Sequence, residues 1–190
     1  MHNAAVWLDK ARAAGFEVDV TWRAFVLDEA ARSDGAALWD RPEDERGRSF
    51  LSLLAGKAAA RQGREQFERF HRALLAARHD GGRIRLDRPD PLVEIAEAQG
   101  LDGDRLARDL EDPDLLAEVA ADHKEAVSDH GVFGTPTFLF ENGQSVFLKT
   151  FIPPDEEAAE ALSHFAGLFA ERSYVGEVKR PQPPWPKGAI

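Results

Sequence analysis

Residues 131–140, Gly-Val-Phe-Gly-Thr-Pro-Thr-Phe-Leu-Phe, constrain the fold more than any other stretch of the chain. Pro136 has no backbone N–H and cannot sit mid-ladder in a central strand. It also restricts Thr135 to extended backbone angles. An X-Pro bond is the one peptide bond with a cheap cis form, and a cis proline usually marks a tight turn. A turn of that kind, running straight into Thr137-Phe138-Leu139-Phe140, would hold the main chain of Thr135 open beside a sheet. Exposed N–H and C=O groups there can pair with an extended substrate segment. The plain alternative is an ordinary loop entering an edge strand, and the decapeptide alone does not choose between them. The order of elements on either side does.

Over the first fourteen residues, Ala4, Val6, Trp7, Leu8 and Ala11 form an apolar stripe at helical spacing, and Gly15 ends it. Phe16, Val18, Val20 and Trp22 then alternate with Glu17, Asp19, Thr21 and Arg23, so residues 16–23 read as a strand with one buried face. Residues 28–47, rich in charge, Gly and Pro, read as a loop anchored by Trp39. From Ser49 to His79 the residues Phe50, Leu54, Phe67, Phe70 and Leu74 recur at helical spacing, with Gly63 breaking the run into two helices. Pro89 or Pro91 opens a further helix that ends at Gly100. Asp102 or Asp104 caps a short one, and Asp112-Pro113 places a cap before a proline at the start of a helix running to His130. Thr137–Glu141 and Val146–Lys149 read as the two strands of a hairpin around Asn142-Gly143. Pro153-Pro154 breaks the chain before a last helix carrying Ala158, Leu162, Phe165 and Phe169. Pro181, Pro183, Pro184 and Pro186 favour an extended polyproline course for the tail, pinned by Trp185.

At 190 residues the chain has room for one sizeable core with an inserted subdomain. Hydrophobic residues at 43% and charged residues at 31% give a globular, not a disordered, composition. The net charge of −10 argues against nucleic acid and anionic membranes as partners. No stretch reaches the apolar length of a membrane span, and Asp9, Lys10 and Arg12 rule out a secretory signal at the start, so a cytoplasmic location is expected. Cysteine is absent, which removes disulfides, thiolate catalysis and thiolate metal sites together. His123 and His130 stand seven apart on one expected helix, two turns from each other and too far to chelate one ion as a local pair. The histidines therefore read as helix-surface side chains, with His130 a cap at the helix C-terminus, and no metal or cofactor is expected. The acidic pairs at Glu43/Asp44, Glu111/Asp112 and Asp155–Glu157 fall in loops and first helical turns, where they suit the helix dipole. The phenylalanines 67, 70, 133, 138 and 140 read as core.

The order helix, strand, helical block, proline turn, hairpin, helix, together with Gly134-Thr135-Pro136-Thr137-Phe138, resembles the DsbA family of thioredoxin-fold proteins over about residues 4–170. The resemblance implies an α/β thioredoxin-like fold with an inserted all-helical subdomain. Residues 1–27 and 131–170 would form the thioredoxin-like domain, residues 48–130 the insertion, and residues 171–190 a Pro-rich tail. It implies thiol–disulfide oxidoreduction, with Thr135 and Pro136 as the substrate-binding turn for an extended peptide or a small thiol. Chromene-carboxylate isomerases and kappa-class glutathione transferases share the architecture, so fold alone does not settle the chemistry. The family places a strand and a Cys-x-x-Cys, or a single Cys or Ser in related enzymes, ahead of the first helix, whose dipole stabilises a thiolate. Here Met1 falls about where the second motif cysteine would stand, so no catalytic residue carries over. The expectations are no thiol–disulfide exchange by the chain as written, and a natural chain that begins upstream. A non-catalytic peptide-binding module, or an isomerase or transferase whose cofactor brings the sulfur, are the alternatives. Strand edges left unpaired beside the missing strand would invite a homodimer.

Overall fold

The computed structural model describes residues 1–32 and 35–178, which divide into two units. One joins Met1–Trp22 to the described residues from Ser128 onward; the other is Arg23–Val127. The polyproline course expected for Pro181–Pro186 and the Trp185 anchor lie outside the described residues.

The first unit is built on two helices, α1 (His2–Ala13) and α8 (Ala158–Phe169). Trp7, Leu8 and Ala11 of one meet Ala158, Leu162 and Phe165 of the other in a buried cluster. Trp7 does not bury its indole N–H unpaired: Nε1 donates to the carbonyl of Ala158 at 2.9 Å. Gly15 ends α1 at φ 85°, with the Phe16 N–H bonded to the Ala11 carbonyl and the Gly15 N–H to that of Arg12. Those two bonds are a Schellman closure, which needs a left-handed residue at that place.

Two short strands, β1 (Thr137–Leu139) and β2 (Ser145–Phe147), pair antiparallel with Thr137 opposite Phe147 and Leu139 opposite Ser145. They are shorter than the sequence implies, and the loop between them takes three residues, Glu141 to Gly143. Phe140 N–H bonds the Gln144 carbonyl and Gly143 N–H bonds that of Phe140, with Gly143 at φ 83°. A turn followed by a left-handed glycine is the usual three-residue solution.

Residues 16–23 do not form the strand that their alternation predicts. Phe16, Val18, Val20 and Trp22 are half-buried against the α1–α8 cluster, and Glu17, Asp19, Thr21 and Arg23 are exposed. The burial has period two, yet the segment belongs to no ladder; among the described residues the sheet has two strands. Alternation reports which face is buried, not whether a neighbour pairs the main chain.

The second unit is helical: α2 (Leu27–Ala30), α3 (Phe50–Ala60), α4 (Arg64–His79), α5 (Pro89–Ala98), α6 (Gly103–Asp109) and α7 (Pro113–Ser128), the last running one residue past the division. Phe50, Phe70, Leu92, Leu106, Leu115 and Val119 are fully buried in its core, each contributing about 1.5–3 kcal/mol of transfer free energy. Helix boundaries fall at the residues that terminate them chemically. Gly63 separates α3 from α4, Pro89 opens α5, and the Asp102 carboxylate accepts the Arg105 N–H at 2.8 Å to cap α6. The segment 28–47 is not all loop: besides α2 it makes single 3-10 turns at Leu38–Asp40 and Glu43–Glu45, and Trp39 is buried beneath it.

His123 corrects the expectation of a surface histidine. It and Asp122 are only 5% and 6% exposed. His123 Nδ1 accepts the Val26 N–H at 3.2 Å, with the rings of Phe25 and Trp39 at 4.8 and 5.3 Å. Asp122 accepts the Ala24 N–H and the Arg23 guanidinium, each at 2.8 Å, and pairs with the Lys57 ammonium at 2.6 Å. Burial lowers the His123 pKa, against an opposing pull from Glu29. The neutral ring is the form that can accept a hydrogen bond at Nδ1.

His71 on α4 stacks on Phe67 at 5.4 Å, and burial with the adjacent Arg72 charge lowers its pKa to about 4. The unfolded chain takes up this proton near pH 6.5, whereas the fold refuses it down to about 4. The stabilisation is therefore complete above pH 6.5 and is lost as the pH falls towards 4. Between pH 7.5 and 4.5 the wild type should lose roughly 2 kcal/mol through this group. Urea midpoints at the two pH values should show His71→Leu losing that much less. An equal acid loss in both proteins would remove His71 as the cause.

Candidate functional site

The proline turn is assembled against Phe147 of β2. The bond between Thr135 and Pro136 is cis. Pro136 is buried, and its carbonyl accepts the Leu148 N–H at 3.1 Å, prolonging the hairpin one pair beyond the strands. Thr137 Oγ1 donates to the Gly134 carbonyl at 2.7 Å and closes the turn from the other side. Gly134 is buried, and a Cβ placed on it would stand 3.1 Å from Phe147 Cε2. The missing side chain is what lets the main chain pass so close to that ring.

Thr135 is half-exposed, and among the described residues nothing hydrogen-bonds its amide, carbonyl or hydroxyl. The hairpin bonds fall at Pro136–Leu148 and Phe140–Gln144, in phase with the Phe138–Val146 pair. The N–H and C=O groups of Thr137 and Leu139 therefore point to the opposite edge of β1, where no described strand lies. Thr135 leads into that edge.

Phe133 is not core, contrary to the sequence reading. It is 70% exposed, with its ring 4.9 Å from Phe147 at a 50° tilt. Phe138 and Phe140 do face the core, both within 6 Å of Phe165. What sets Phe133 apart in the sequence is its place before Gly134 and outside the strand, so strand periodicity never governed it.

His130 lies past the last turn of α7, where its carbonyl accepts from Ser145 Oγ at 2.9 Å. The main chain of His130 thus fixes the approach to the turn. Among the described residues no three His, Asp or Glu side chains are grouped as a metal site. An open depression of about 660 Å3 lies at the far end of α1, lined by Arg12 and residues 15–19, and neither Thr135 nor Pro136 borders it.

Residues 4–155 match the DSBA-like thioredoxin domain. The chain belongs to that family. No curated protein matches it. In this DSBA-like domain, the α/β thioredoxin-like fold is mostly helical, carrying a helical insertion and a small two-stranded sheet. The chain has no cysteine, so these 190 residues bring no thiol to the site. Among the described residues, no helix is long and apolar enough to cross a membrane.

Gly134→Ala tests how the turn is supported. The added methyl must displace Phe147, whose ring is flanked by Phe133 at 4.9 Å and the Lys149 ammonium at 5.9 Å. The cost should be about 1 kcal/mol, read as a fall in the urea midpoint. Adding Phe147→Leu should recover part of it, as coupled neighbours do. Strict additivity of the two changes would show that the close approach is not what requires glycine.

Proposed function

We propose that this DSBA-like domain binds an extended peptide or a small thiol along the Thr135–Pro136 turn, and that its own side chains perform no sulfur exchange. The observation that carries the reading is Thr135: a half-exposed residue at the head of β1 whose main-chain groups are taken up by no described residue. Such groups beside a sheet edge are the means by which one chain adds an extended segment of another.

Thiol–disulfide exchange proceeds by attack of a thiolate on a disulfide sulfur. Serine and threonine form no disulfide, and the chain has no cysteine. The oxidoreductase activity implied by the family resemblance would therefore need a thiol from outside these 190 residues. What the chain supplies is the binding wall.

Two measurements test this. With dithiothreitol present, the protein should reduce insulin no faster than buffer, and turnover above that baseline would overturn the claim that it does no exchange of its own. A scan of N-methyl groups along a bound, extended peptide should find one or two positions where affinity drops roughly tenfold, the value of one or two main-chain hydrogen bonds. A flat scan would remove main-chain pairing at Thr135.

A further inference from the structure

We infer that His123 is a proton-operated latch: its neutral ring fastens the chain near the start of the helical unit, at Phe25–Val26, and a proton on the ring releases that segment. The latch is separate from the Thr135 turn, and its test does not depend on the binding reading above.

The chain enters the helical unit at Arg23, where among the described residues no strand pairs with it. Two adjacent residues of α7 take up its main chain instead. The Asp122 carboxylate accepts the Ala24 N–H at 2.8 Å, and His123 Nδ1 accepts the Val26 N–H at 3.2 Å. The two clasps differ in chemistry. Asp122 accepts as a carboxylate that already holds the Arg23 guanidinium at 2.8 Å and the Lys57 ammonium at 2.6 Å. His123 accepts through the single lone pair of Nδ1, and imidazole is the side chain whose charge ordinarily changes between about pH 5 and 8. A proton at Nδ1 sets N–H against N–H, so the bond to Val26 is abolished rather than weakened.

The surroundings make that loss felt. Val26 is 1% exposed, and among the described residues no other group accepts its N–H. A buried donor left without an acceptor favours local opening. The ring itself is 5% exposed and packed on Phe25 and Trp39, on a helix of 16 residues. The part able to yield is the non-helical segment ahead of Leu27.

The charges around the ring set when this happens. Glu29 of α2 draws a proton towards it, while its carboxylate also accepts the Leu38 N–H at 3.0 Å and pairs with Arg32 at 3.8 Å. On α7 the ring adjoins Asp122 and Lys124, whose ammonium lies 5.4 Å from the Trp39 ring. Lys57 of α3 and Arg23 are both engaged by Asp122, and Arg23 also by Glu125. Burial opposes the proton and outweighs Glu29, which lowers the pKa of the ring. Closure is therefore strongest above pH 6.5, the ring's ordinary value, and is lost as the pH falls below it towards the lower value that the fold imposes.

Amide hydrogen exchange of the full chain tests the latch, followed by NMR between about pH 7.5 and 4.5 with each rate corrected for its intrinsic value. Protection of Val26 should fall by about tenfold per pH unit below 6.5, relative to that of Val119 in the buried face of α7, until the closed ring is itself protonated. Asparagine can place an acceptor oxygen where Nδ1 stands and does not titrate. His123→Asn should therefore keep Val26 protected, with a ratio to Val119 that no longer changes with pH. His123→Phe fills the place of the ring without an acceptor and should lose Val26 protection at every pH. A constant ratio across the range in the wild type, which requires no variant to fold, would overturn the latch. So would a ratio that falls as steeply in His123→Asn as in the wild type.

Discussion

Phe165 holds the smaller unit together. Its ring lies 5.9 Å from Trp7 of α1, 5.0 and 5.9 Å from Phe138 and Phe140 of the hairpin, and 5.4 Å from Phe169 on its own helix. It is only 7% exposed. Tilted and edge-on rings at such separations add to the free energy of burial, by about 0.5–1.5 kcal/mol per pair. The proline turn depends on this contact, because Phe138 fixes the face that β1 turns to the helices. Once Phe138 faces inward, the pleat sends the main-chain groups of Thr137 and Leu139 sideways to the open edge.

Both units fix extended chain by means other than a sheet ladder. Residues 16–22 are seated by alternate side chains on the α1–α8 pair, with the Arg12 guanidinium reaching the Val18 carbonyl at 3.3 Å. Residues 23–26 are held by buried polar groups of α7, where Asp122 and His123 take up the N–H groups of Ala24 and Val26. A buried carboxylate is costly unless several donors surround it. Arg23, Lys57 and the Ala24 amide supply them. The charge so compensated positions backbone, a job usually done by a neighbouring strand.

These substitutions mark where the sequence stops being legible. Helix ends were readable because glycine, proline and aspartate act locally: Gly15, Gly63, Pro89 and Asp102 each terminate or cap the helix they border. The hairpin was readable from Asn142-Gly143, although its loop length was not, since the same dipeptide also suits a three-residue turn. Residues 16–23 were read correctly for burial and wrongly for pairing, because a ladder needs a partner that period two does not name. His123 looked exposed because polar residues are counted as surface, and its partner, the Val26 amide, lies 97 residues away. Phe133 looked buried for the converse reason. Thr135 and Pro136 drew notice through local chemistry, proline's missing N–H and its hold on the preceding residue, but their reading as a substrate-binding turn came from the order of elements around them and the family resemblance it carries.

In a thioredoxin-like fold, recognition and reaction can rest on different groups. Sulfur exchange is set by a thiolate's pKa, its nucleophilicity and the leaving group, none of which a cysteine-free chain controls. Recognition of a ligand is a separate matter, resting on groups other than a thiolate. One fold hosts many chemistries because the two can vary independently. Main-chain pairing accepts almost any sequence, so selectivity falls to whatever side chains border the paired residue. Next to Thr135 the preceding chain offers Gly134, which has no side chain to contribute, and then Phe133. The glycine that lets the backbone pass Phe147 thus also leaves Phe133 as the nearest preceding side chain to the turn.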